Sequence, residues 1–456
     1  MNIESITAII FGLIFLVYAI LSRRISSFAD YAVGNRSLPL FLLFASISAS
    51  FIGPGYSLGF IRKGYESGML YFLLAGAYGL QTILVGLYVA PRLHGFKDAY
   101  SIGDVIGQKH GRWAHILSGL ISFGLLIAFS TVMAMVGGTI LSDFLGISQL
   151  WGVITMTSIV IVYSFFGGIK ASIMTDTFQF VLFVLLIPAL LIFIWMGTAV
   201  SLESMLAQTK SLTIQGAESL TFWSAIGLFF SFFLGETLVP PYINRALGAK
   251  SQKVSGHAFL FSGLFFFIWL FIMLLIGSLG SMSLTAEASD KIGLLLGSKH
   301  YATGIYGIFI MALVGIVMSS QDSLVNSGAS VFVRDVVNLH VDLTERQSLH
   351  ISRMATLFVG ISSIVFSIYV PSVLEGLLWC YSLWAPSMLP ILLASILLKN
   401  TTASAGVSSI IVGILIAISL EVSAVDANTA TLIGFTGSCL TYLIIWKLTS
   451  VRILSA

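Results

Sequence analysis

Runs of about twenty apolar residues, broken by short polar loops, recur along the whole chain. A helix needs about 20 such residues to cross the hydrocarbon core of a bilayer. Thirteen segments qualify: 3–21, 38–60, 69–91, 113–141, 149–168, 174–197, 221–244, 256–281, 303–333, 352–372, 373–397, 402–421 and 429–448. The pattern predicts an all-α integral membrane protein, a single polytopic domain over 1–456 with about 13 transmembrane helices. Residues 5–21 precede a basic loop without a clear small-residue cleavage site, so they read as a retained first helix.

Two of these spans carry helix breakers at mid-membrane depth. "FLLFASISASFIGPGYSLGF" (41–60) holds Gly53, Pro54, Gly55 and Gly59; "FFSFFLGETLVPPYINRAL" (229–247) holds Gly235, Glu236, Pro240 and Pro241. Proline removes a backbone donor and clashes with the preceding turn. Unwound backbone at that depth has to line a cavity or be buried in protein. The two breaks lie five spans apart, which predicts two five-helix repeats, 38–197 and 221–397. Because five is odd, the repeats are inverted, with one extra helix before them and two after. Paired breaks at matching repeat positions point to a transporter binding site.

A third irregularity is the polar strip "VMSSQDSLVNS" (317–327) inside the ninth span. At helical spacing Ser319, Ser323, Asn326 and Ser330 share one face, and Ser320, Ser323 and Ser327 overlap it. Small residues serve helix packing, but Asp322 is different: an intramembrane carboxylate costs at least about 2.5 kcal/mol and marks function by default. Hydroxyls, a carboxylate and carbonyls from a neighbouring break form an oxygen set suited to a hard cation such as Na⁺. Asp176 either joins this chemistry or caps a helix at the interface. Glu236, beside the second break, is open between substrate contact, protonatable group and structural partner. Asp143 and Glu375 read as interfacial.

Composition narrows the class. The chain is 57% hydrophobic and 9% charged, against about 25% charged in soluble domains. Seventeen of the 22 Lys and Arg fall in alternate loops, among them Arg92, Arg245 and Arg334. The poorer side holds Arg62, Lys63, Lys210, Lys291 and Lys299. Positive residues favour the cytoplasmic face, which predicts an outside N-terminus and a cytoplasmic C-terminus in a plasma membrane, that of a bacterial cell. The basic loops account for the net charge of +3, and no nucleic-acid partner is implied. Cys380 and Cys439 read as small buried hydrophobes. No nucleophile–base pair or metal motif is visible and His94, His110 and His340 fall in cytoplasmic loops, so no enzyme is expected.

Five stretches in order, "ASFIGPGYSLGFIRKGYESG" (49–68), "FGGIKASIMTDTFQ" (166–179), "PYINRALGAKS" (241–251), "VMSSQDSLVNS" and "LLKNTTASAG" (397–406), resemble the sodium/solute symporter family across essentially the whole chain. The resemblance implies the LeuT-like inverted-repeat bundle. It also implies Na⁺ as the coupling ion, held by the carbonyls of Ala49, Ile52 and Ile316 and the hydroxyls of Ser319 and Ser320. A second sodium in some members implies Asp176, Asp322 and Ser323, with Ser319 nearby. "MSSQDS" and "FIGPGYSLG" look like the choline branch, yet Val239 stands where that branch places a cage tryptophan.

Phe51, Tyr56, Gln81, Glu236, Val239, Trp379 and Tyr381 are the candidates for the solute pocket. Aromatic rings suit a quaternary ammonium, and Gln81 is a lone amide. The expected function is sodium-coupled import of a small organic solute by alternating access, with membrane lipid as surroundings and a monomer sufficient. The alternatives are a proton-coupled carrier using Asp176, Asp322 or Glu236, and a transporter-like sensor without net flux.

Overall fold

The computed structural model describes residues 27–198, 201–282, 295–298, 301–370 and 373–454, with scattered positions before them. The expected first span, 3–21, lies largely outside the described residues, as do Lys291, Lys299 and the side chain of Glu375.

The chain folds into helices α1 Leu40–Phe51, α2 Phe60–Ser67, α3 Leu70–Leu84, α4 Ile102–His110, α5 Arg112–Leu145, α6 Gln149–Thr198, α7 Leu202–Glu218, α8 Phe222–Leu234, α9 Pro240–Gly248, α10 Gln252–Gly280, α11 Thr303–Val331, α12 Glu345–Phe366, α13 Val373–Leu397, α14 Ala403–Val422 and α15 Ala427–Leu454. Among the described residues nine helices are long and apolar enough to cross a membrane, eleven if each of two bent pairs is one span. One counted helix, Gln149–Gly197, has 49 residues and contains two of the expected spans. At 1.5 Å per residue it would run about 74 Å, more than twice the hydrocarbon thickness. Gly168 breaks it with φ 51° and ψ −152°. A side chain at Gly168 would also meet the Tyr31 ring at 2.7 Å.

Both expected breaks form. α1 ends at Phe51, and a wide turn over Gly55–Gly59 leads into α2, bent by 62° from α1. In the second broken span α8 ends at Leu234; turn residues follow, with Leu238 at φ 55°, and the prolines start α9. Proline at the first helical positions is favourable because those N–H groups have no helical partner. The second span runs on to Gly248, beyond the 244 expected. The N-terminal end of the first broken span and the C-terminal end of the second are tied together: Leu38 N donates to Gly248 O and Lys250 N to Leu38 O, both at 3.1 Å.

One helix was not anticipated. α7, capped by the Ser201 hydroxyl, meets α8, capped by Thr221, at 106°. It lies against the C-terminal end of α2, where Thr213 Oγ1 accepts from Met69 N at 2.9 Å.

Burial grades the helices. The α11 window is 94% buried, against 28% for that of α15, so α11 is the central post. α10 reaches α2 through glycines: a Cβ on Gly277 would lie 1.9 Å from Ile61 O, and one on Gly64 would lie 2.1 Å from Leu274 O. The methyl of Gly277→Ala cannot fit without separating the backbones, and overpacking costs about 1–3 kcal/mol. We expect that variant to melt several degrees lower in purified form. An unchanged melting temperature would show that α2 and α10 can part freely.

Candidate functional site

The first break faces the serine strip of α11. The end of α1 withdraws the regular helical donors from its last carbonyls, leaving Ala49 and Ile52 at the break. The Ile52 carbonyl accepts Ser57 Oγ at 2.6 Å and keeps a second lone pair. Opposite stand Ser319 and Ser320. A Cβ on Gly53 would lie 3.1 Å from Ser320 Oγ, so the break packs directly on that serine. Ser320 Oγ donates to the Ile316 carbonyl at 3.3 Å. Ser319 Oγ is buried without a hydrogen bond of good geometry. Two buried hydroxyls beside a break that frees carbonyls, with the Asp176 carboxylate next to Ser319, fit an oxygen-liganded cation. All five residues read as sodium ligands thus lie in two elements that touch.

Next to them is a buried ion pair. Arg245 and Asp176 are 1% and 0% exposed, with Nη2 to Oδ2 at 2.8 Å. The guanidinium also donates to Ser46 Oγ at 2.8 Å, Ser50 Oγ at 3.1 Å, Ser323 Oγ at 2.6 Å and Pro241 O at 3.2 Å. It therefore joins α1, α6, α9 and α11. The sequence had placed Arg245 in a cytoplasmic loop; the structure corrects this, because α9 continues past the prolines and carries it inward. Asp176 Oδ1 has no hydrogen-bond partner. Asp176 lies inside α6, so it is not an N-cap.

Asp322 turns toward α6. It accepts from Tyr163 Oη at 2.8 Å, Ser172 Oγ at 2.7 Å and Ser323 Oγ at 3.1 Å. Asp176, Asp322 and Ser323 form one connected polar cluster, with Arg245 as its cation.

On the other side of Ser320 and Ser323 a cavity opens between the two breaks. Ser50, Gly53, Pro54, Tyr56, Phe129, Met133, Glu236, Val239, Tyr242 and Tyr381 contribute to its wall. Its volume is about 40 Å³, room for about three waters at the roughly 10–15 Å³ each needs by the same measure. An organic solute therefore needs the surrounding helices to part. Tyr78 Oη donates to Glu236 Oε2 at 2.9 Å, and the Tyr381 hydroxyl also reaches that carboxylate. The rings of Tyr56 and Tyr78 stack at 4.4 Å, and Phe51 packs on Tyr242 at 4.2 Å.

Of the expected pocket residues, Tyr56, Glu236, Val239 and Tyr381 line the cavity. Phe51 stands behind it as support for Tyr242 and Tyr78. Gln81 is buried away from the wall with its Oε1 unpartnered. Trp379 is 47% exposed and points away, because α13 turns Cys380 and Tyr381 inward instead. Tyr78, Tyr242 and Arg245 were missed. The signal for the last two was "PPYINR", a polar cluster following a proline break.

A separate polar group lies just past the C-terminal end of α11. Arg334 holds Asp104 at 3.0 and 3.1 Å through both carboxylate oxygens, and His115 Nε2 meets Asp335 Oδ1 at 2.8 Å. It locks α4 and α5 to the end of α11.

Two breaks around a cavity, beside a cation-ready hydroxyl set, are the geometry of a coupled carrier. The sodium/pantothenate symporter of Haemophilus influenzae is 25% identical over 447 residues, covering 91% of this chain and 90% of that protein. The high-affinity proline transporter of Bacillus subtilis is 23% identical, covering 86% of each. Among solved structures, a substrate-bound, outward-open Na⁺-coupled sialic acid symporter superposes with a TM-score of 0.88 over 98% of both chains at 19% identity, a likeness of fold. The model of the sodium:solute symporter family matches residues 31–413. This all-helical, LeuT-like membrane protein belongs to the sodium:solute symporter family, and it is a transporter that couples movement of a small solute to Na⁺ rather than an enzyme.

Proposed function

We propose that Na⁺ binds between the carbonyls of Ala49, Ile52 and Ile316 and the hydroxyls of Ser319 and Ser320, and that the solute enters the adjoining cavity beside Glu236. The observation that carries this is the packing of the first break on α11, where a Cβ on Gly53 would lie 3.1 Å from Ser320 Oγ, next to a buried Ser319 hydroxyl without a hydrogen bond of good geometry. An ion there ties α1 to α11 and favours the state that accepts solute from outside. Coupling follows because ion and solute each bind one conformation better than the others. One Na⁺ carries about 2.3 kcal/mol per 100 mV of membrane potential. A tenfold sodium gradient adds about 1.4 kcal/mol.

One ion per cycle is the reading favoured here. Asp176, Asp322 and Ser323 remain the candidates for a second, but Arg245 already neutralises Asp176, and Asp322 accepts from three hydroxyls. The two inverted repeats, 38–197 and 221–397, would then rock about the broken helices. The basic loops support a cytoplasmic C-terminus in a bacterial plasma membrane, and the bias survives the reassignment of Arg245. The site lies within one chain, so a monomer in lipid suffices. Proton coupling is not favoured, because the cation-ready oxygens are hydroxyls and carbonyls.

The test is thermal stability of the purified protein in NaCl and KCl over a range of pH. Stabilisation is expected with Na⁺ and not K⁺. Stabilisation that tracked pH and ignored Na⁺ would return the proton-coupled reading.

A further inference from the structure

The geometry points to a small organic ammonium ion, without an adjoining carboxylate, as the solute class. This rests on the cavity between the breaks being the solute site. Glu236 is partly exposed to that cavity, and among the described residues no Lys, Arg or His pairs with it. Its hydrogen bonds come from tyrosine hydroxyls, which act as donors to a carboxylate. The nearby guanidinium of Arg245 is spent on Asp176 and three serines. An ionised Glu236 would have no cation among the described residues, and a cationic solute would supply one, since a charge away from water needs a partner.

The rings fit the same ligand. Tyr56, Phe129, Tyr242 and Tyr381 place four aromatic rings in the wall with the Glu236 carboxylate. The faces of such rings attract an ammonium, most strongly when it is desolvated. The wall contains no Asn, Gln, Lys, Arg or His. Its hydroxyls at Ser50, Ser320 and Ser323 are already engaged by Arg245 or by the Ile316 and Ser319 carbonyls. A sugar would find few donors here, and a carboxylate no cation.

The second break also lacks the usual anion-binding feature of a half-helix. The N-terminus of α9 would ordinarily offer free N–H groups to a carboxylate. Pro240 and Pro241 have none, and the N–H groups of Tyr242 and Ile243 both point to Val239 O, at 2.9 and 3.4 Å. Glu236 instead follows the C-terminus of α8, whose partial negative charge favours a cation.

The experiment is competition and thermal stabilisation with purified protein in NaCl. Choline and ethanolamine are each compared with their carboxylate-bearing counterparts, glycine betaine and glycine, and with glucose and propionate. An ammonium compound without a carboxylate should stabilise best. Its half-maximal concentration should rise at least tenfold in Glu236→Gln and less in Glu236→Asp. The shift in melting temperature caused by Na⁺ alone should persist in both variants, which also shows that they fold. Preference for glucose, propionate or the amino acids, or an unaltered response in Glu236→Gln, would overturn the class while leaving the sodium carrier standing. Loss of the Na⁺ effect in the wild-type protein would instead overturn the proposed sodium site.

Discussion

Arg245→Met is expected to lower stability by about 3–5 kcal/mol, the usual cost of removing one partner of a buried ion pair. The cost arises from Asp176, which is fully buried and would keep its charge without a counter-ion. Methionine restores the bulk of the side chain, so cavity formation contributes little. The same change removes donors to Ser46, Ser50 and Ser323, which loosens α9 from α1 and α11. Removing both charges should recover much of the loss, because a neutral pair has no ion to desolvate. The double variant Asp176→Asn/Arg245→Met should therefore melt above Arg245→Met alone. A single variant as stable as the wild-type protein would mean that Asp176 is neutral in the fold and that the pair is not ionic.

Arg245 also shows where one-dimensional reading stops. In the sequence it follows a falling hydropathy profile and sits near Lys250 and Lys253, so the rule for positive loops claims it. Its burial depends on Asp176, 69 residues away, and on serines of two other helices. No local pattern carries that information. The broken helices were legible for the opposite reason. Gly53–Pro54 and Pro240–Pro241 act through their own backbones, so their consequence is local. The serine strip was legible from helical period alone, although α11 is buried on its apolar face as fully as on its serine face, so period did not decide which side meets protein. Trp379 and Tyr381 mark the limit of such arguments. Two residues apart on one helix, they point to opposite surroundings, and the rotation of α13 that decides between them is set by its neighbours. The amphipathic α7 escaped notice because a search for apolar runs passes over a helix with a polar face.

Ser319→Ala/Ser320→Ala is expected to raise the Na⁺ concentration for half-maximal stabilisation and uptake by at least a hundredfold. A hydrogen-bonding or ligating contact to a charged group is worth about 1.5–3 kcal/mol, and about 2.7 kcal/mol corresponds to a factor of one hundred. Two such contacts are lost, while the three carbonyls remain, so binding weakens without vanishing. Stability without sodium should change little, because Ser319 Oγ makes no hydrogen bond of good geometry that alanine would forfeit. That pairing of effects separates a ligand from a packing residue, whose truncation would lower stability in Na⁺ and K⁺ alike. Ser330→Ala is the control on the same helix. Ser330 Oγ donates only to the Asn326 carbonyl, at 3.2 Å, one helical turn back. It lies three turns from Ser319 along α11, so sodium dependence should not change there. Equal sodium dependence in the double variant and the wild-type protein would remove both serines from the ion site and leave the strip as helix packing.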